Sequence, residues 1–119
     1  MFEALQLLDK MVEAGVSKSE AHTRLMDAYG VALEKDVSLL AGVAMLLGQV
    51  DKLSFEPSLA MIASLCRVVE NRKLLFDQRL HAARTAKILL DRMESENVCP
   101  GFNAWWSVVT CTVNLGAPL

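Results

Sequence analysis

Apolar residues return every three or four positions through most of this chain, the spacing of one helix face. Phe2, Leu5, Leu8 and Val12, widened by Ala4, Leu7 and Met11, predict a first helix from about Phe2 to Ala14. Gly15 follows, where a helix end takes up left-handed backbone. The stretch VSKSEA then places Ser17 as an N-cap with Glu20 three residues on, a capping box, and lets Val16 pack on Ala21. Ala21, Leu25, Ala28 and Ala32 mark the expected buried side of this second helix. It ends at Tyr29, ahead of Gly30, or crosses the glycine and reaches Glu34.

The next segment, SLLAGVAMLLGQ (38–49), carries no charge. Asp36 or Ser38 is its expected N-cap. It is apolar on nearly every side, which predicts a central helix with protein on nearly every side. Ala41, Gly42 and Ala44 would let neighbouring backbones come close. At twelve residues it is too short to cross about 30 Å of hydrocarbon, so membrane insertion is not expected.

After the break at DKLSFEP, Pro57 fits a first helical turn, where its missing N–H is no loss. Leu59, Ile62, Cys66 and Val69 form one stripe. Phe76, Leu80, Ala83, Ala86, Leu90 and Met93 form the most regular one in the chain. Residues 57–96 are therefore one long helix or two. The polar run ENRK favours a break near Asn71. Pro100 and Gly101 end the helical region. The segment 103–115 reads in two ways, as a final helix capped by Asn103 or as an interface strand, because its β-branched and aromatic residues alternate. The expected fold is mainly α, a small bundle of four to six helices. Residues 1–98 form the helical domain, and residues 99–119 pack on that domain or on a partner.

Composition adds a bias towards association. Hydrophobic residues make up 53% of the 119, and charged residues 22%. Small apolar-rich chains often bury the excess against a partner. The net charge of −2 is unevenly spread, since residues 1–60 hold nine acidic and five basic side chains and residues 61–119 hold five and seven. Three widely spaced cysteines (Cys66, Cys99 and Cys111) make no disulfide framework and suit a reducing, cytoplasmic setting. The N-terminus has no basic, then apolar, signal pattern.

Little in the sequence points to catalysis. His22 and His81 stand in no zinc-ligand spacing and are expected at the surface. Asp91, Glu94 and Glu96 have no facing carboxylate or histidine motif, and Cys66 with His81 has nothing to orient it as a nucleophilic pair. No glycine-rich phosphate loop is present. The expectation is a protein that is not an enzyme and uses no metal or cofactor. Its expected role is to bind protein as an adaptor, chaperone or regulator, and to self-associate as a dimer. Phe76, Leu80, Leu90, Met93, Trp105 and Trp106 are the candidate contact residues. Adjacent tryptophans diverge by about 100° on a helix, so one suits the core and the other an interface. The alternative is a nucleic-acid-binding regulator with Arg79, Arg84, Lys87 and Arg92 as a phosphate-contacting stripe.

Overall fold

The computed structural model describes residues 2–50 and 53–116, without the side chains of residues 2–5, 7, 8 and 19. The stripe expected on Phe2, Leu5 and Leu8 therefore lies outside the described side chains. Six α-helices account for the described architecture: α1 (Phe2–Glu13), α2 (Lys18–Leu33), α3 (Leu40–Gln49), α4 (Phe55–Glu70), α5 (Phe76–Ser95) and α6 (Phe102–Leu115). No strand occurs among the described residues.

Local chemistry sets most of the boundaries. Gly15 takes φ +98°, a left-handed conformation that favours glycine, after α1. The Ser17 hydroxyl accepts the Glu20 N–H at 3.1 Å and opens α2. The Glu20 carboxylate turns instead to Arg24, one turn on. Gly30 does not stop the helix. It is buried where α2 crosses α4, and a Cβ there would lie 3.5 Å from Ser64 Oγ and 4.0 Å from Met61 Cε. Both are ordinary contacts. Gly30→Ala is therefore expected to stabilise the fold by about 0.5–1 kcal/mol, through helix propensity and a less free unfolded chain. Urea denaturation checks this, and a lowered midpoint would mean that the crossing has no room for a methyl group.

The buried face of α2 is rotated from the expected one. His22, Met26, Tyr29 and Leu33 point inward with Ala21, while Ala28 is exposed. Their steps of four, three and four also fit a helix face. Large side chains remove more apolar area from water than a row of alanines, so they set the orientation.

Asp36 accepts both the Ser38 N–H (3.1 Å) and its hydroxyl (2.6 Å), opening a single 3₁₀ turn, Val37–Leu39, that leads into α3. These bonds hold the Asp36 carboxyl below its usual range. The α3 helix is not enclosed as its sequence suggested. Leu40, Gly42, Val43, Leu46 and Leu47 face the core, but Ala41, Ala44, Met45 and Gly48 are exposed. Ala41, Ala44 and Gly48 lie on its open side, while the other side packs against α2 and α5.

The central position belongs to α4, which packs against α2, α5 and α6 and buries nine residues. Residues 57–96 form two helices. Asn71 ends α4 and caps the turn by accepting the Lys73 N–H at 3.1 Å. Gln78 accepts the Leu75 N–H at the start of α5. The Arg79 guanidinium reaches back to the Val69 carbonyl at 2.6 Å, satisfying an end-of-helix acceptor. The C-terminal segment is helical, beginning at Phe102 after Gly101 (φ +86°) rather than at an Asn103 cap. Val108, Cys111 and Leu115 carry it into the same core that α2 to α5 share.

Candidate functional site

The regular stripe on α5 is the core face of that helix. Leu90 and Met93, expected at a contact surface, are 0% exposed. They lie in the central cluster with Ala83 and Ala86, because α5 is pressed between α4 and α6. Leu80 and Trp105 are partly buried against the same core. Of the six candidate contact residues only Phe76 and Trp106 are largely exposed.

The basic stripe is also divided. Arg79 holds the Val69 carbonyl. Arg92 donates to the Leu47 and Val50 carbonyls and to the Glu96 carboxylate, closing the end of α3. Lys87 pairs with Asp91 at 2.9 Å. Arg84 stays at the surface and lines a groove of about 550 Å³ between α3 and α5, together with Ala44, Gly48 and Leu89. Two of the four cations are thus committed to structural carbonyls.

No catalytic constellation assembles from the polar candidates. Asp91 and Glu96 point to Lys87 and Arg92, and Glu96 also accepts the Leu53 N–H at 2.8 Å. His22, expected at the surface, is buried on α2, and His81 is exposed. Among the described residues no group of three or more His, Cys, Asp or Glu side chains could hold a metal. The partner of Cys66 is not His81. It is Cys111, 45 positions away in sequence, with the two sulfurs 3.8 Å apart. That contact and burial push the Cys66 thiol well above its ordinary range.

What stands out is the outer face of α6. Phe102, Trp106, Val109 and Val113 are 75%, 58%, 46% and 71% exposed. Steps of four, three and four at 100° per residue keep them within a sector of about 60°. Val108, Cys111 and Leu115, the buried residues, occupy the opposite side of the helix. The Phe102 and Trp106 rings stack, with centroids 6.0 Å apart and planes 12° apart. The helix contains no charged residue from Phe102 to Leu115. An uncharged helix that is apolar on two opposite faces has one face for its own core and one without a partner among the described residues.

No family model, curated protein or solved structure matches this chain. Among the described residues no helix is long and apolar enough to cross a membrane. The functional reading therefore rests on the surface itself.

The sequence singles out Trp106 in this face and includes Val109 and Val113 only as part of the Trp105–Leu115 segment expected at a contact surface; Phe102 lies outside that segment. Their spacing is a helical signal, but it emerges only once the segment is taken as a helix. Read as a strand, Val109 and Val113 fall into an alternating pattern that Trp106 does not share.

Proposed function

We propose that this is a non-catalytic protein-binding protein, an adaptor, chaperone or regulator, that acts through the outer face of α6 and pairs with a second copy of itself. The observation that carries the reading is the unbroken row Phe102, Trp106, Val109 and Val113 on an uncharged helix. A surface of this kind gives no electrostatic preference for a charged partner, whereas it is complementary to itself. In an antiparallel pair related by a two-fold axis, Phe102 meets the partner's Val113 and Trp106 meets the partner's Val109. Each large ring then stands against a small β-branched side chain, the alternation that interdigitating layers need.

The area is consistent with a pair. Taking about 150–250 Å² per aromatic side chain, the two rings leave roughly 200–330 Å² uncovered in each copy. With the valines and the flanking Asn103 and Thr110, two copies approach the roughly 1,200 Å² at the lower edge of specific interfaces. The helix of about 21 Å is long enough for three turns of contact. Interfaces at this small end of the range are commonly weak, so an affinity on the order of micromolar is expected. Light scattering across concentrations from about 1 to 100 µM tests this. A mass rising towards twice 13.1 kDa is expected. A strict monomer throughout would sink the self-pairing.

A further inference from the structure

Three of the described structure's properties meet at one place between α4 and α6. Cys66 on α4 and Cys111 on α6 bring their sulfurs to 3.8 Å. Both are buried, and neither belongs to the seam of α6, since Cys111 points to the opposite side of that helix. A crevice of about 350 Å³ opens beside them, with Cys66 in its wall among Arg67, Glu70, Ser107 and Thr110. Cys66, 7% exposed, lines this crevice, and Cys111, 0% exposed, does not.

We propose that Cys66 and Cys111 are an oxidative modification site that hydrogen peroxide converts to a disulfide fastening α6 to α4. The geometry already supplies what a dithiol needs. The two sulfurs are in van der Waals contact at 3.8 Å and must close to a bond length of about 2.05 Å. The chemistry balances in two steps. The Cys66 sulfur, its proton passed to solvent, attacks one peroxide oxygen; the O–O bond breaks, hydroxide leaves and takes up a proton as water. Cys66 is then a sulfenic acid. The Cys111 sulfur attacks it, the S–O bond breaks, and the departing hydroxide carries away the Cys111 proton as a second water. The two thiols lose two electrons and two protons, and one peroxide becomes two waters. The sulfenic acid has a resolving thiol beside it, which protects it from irreversible over-oxidation. The contact with Cys111 and burial hold Cys66 mainly as the thiol, so little thiolate is present and the first step is slow; the site answers to sustained oxidant rather than to a brief pulse. Neither sulfur lies in the proposed seam, but Trp106 and Thr110 line both the seam and the crevice, so the oxidation is run at a concentration where the chain is monomeric.

The test uses the full chain carrying Cys99→Ser, which removes the exposed thiol. Folded protein is held in millimolar hydrogen peroxide for hours, then unfolded and alkylated with N-ethylmaleimide. Peroxide also converts methionine, such as the exposed Met45, to sulfoxide, so the readout is peptide-resolved: digestion should give one peptide pair joined through Cys66 and Cys111, with no alkyl group on either cysteine. Dithiothreitol should restore two alkylatable thiols. The oxidised form should melt higher, by on the order of 10 °C, because a loop of 45 residues is closed. Adding Cys111→Ser should instead drive Cys66 to sulfinic acid, a gain of about 32 Da that peptide fragmentation places on the Cys66 sulfur rather than on methionine. Two free thiols after the full exposure, or sulfinic acid on Cys66 while Cys111 is present, would overturn the proposal. So would a cross-link that forms only in denaturant.

Discussion

Arg92→Ala is expected to cost the fold about 2–4 kcal/mol, more than any other single change to a charged residue here. Its guanidinium reaches the carbonyls of Leu47, in the last turn of α3, and Val50, just past its end, and the Glu96 carboxylate at 2.7 Å. Glu96 in turn accepts the Leu53 N–H. One side chain on α5 thus holds both the end of α3 and the connection to α4. Alanine would leave two carbonyls and a partly buried carboxylate without their donor, and hydrogen bonds to charged groups contribute about 1.5–3 kcal/mol each before water replaces part of the loss. Arg84→Ala, at the surface of the same helix, should stay within about 0.5 kcal/mol. Urea denaturation of the two variants separates them. The comparison also bears on the nucleic-acid reading. If Arg92 served phosphate rather than backbone, its loss would leave the midpoint unchanged and lower the salt dependence of binding to a labelled duplex.

The contrast between these two arginines explains what was legible in the sequence. Helix caps and breaks are local, and they were readable: Ser17 opens α2, Asn71 ends α4, and Pro57 lies in a first turn. Local chemistry fixed these positions within a few residues of itself. Arg92 and the carbonyl of Leu47 are 45 residues apart, and so are Cys66 and Cys111. Periodicity carries no information across such distances. It ranks the faces of a helix by apolarity and does not say which neighbour covers them. That is why α3, uncharged throughout, looked fully enclosed although Ala41, Ala44 and Met45 are exposed. It is also why Leu90 and Met93 looked like a contact surface. Their stripe was regular because it faces a well-packed core. In α6 the β-branched residues left strand and helix in balance, and packing against α4 and α5 decides for the helix.

Trp106→Glu is expected to weaken self-association at least about 100-fold while leaving the monomer's stability nearly unchanged. Trp106 is 58% exposed in the single chain, so a glutamate there meets water and costs the fold little. In the antiparallel pair the same carboxylate would stand against the partner's Val109 with no cation along either α6, and the two-fold axis would place two such charges close together. An unpaired charge in an apolar contact costs several kcal/mol, and about 2.7 kcal/mol is already a factor of 100. Central tryptophans are also frequent anchors of interface energy, so the loss of the ring acts in the same direction. Ile88→Glu is the matched control. Ile88 is 62% exposed on α5, in the groove beside α3, and gives up an apolar surface of similar exposure on another face. Sedimentation equilibrium on both variants, with thermal melts at a concentration where the parent is monomeric, reads the two quantities separately. A Trp106→Glu protein that still pairs like the parent, beside an Ile88→Glu protein that does not, would move the interface from α6 to the α3–α5 groove. A monomer with an unshifted melting temperature from Trp106→Glu, with Ile88→Glu still dimeric, would place the contact on the outer face of α6.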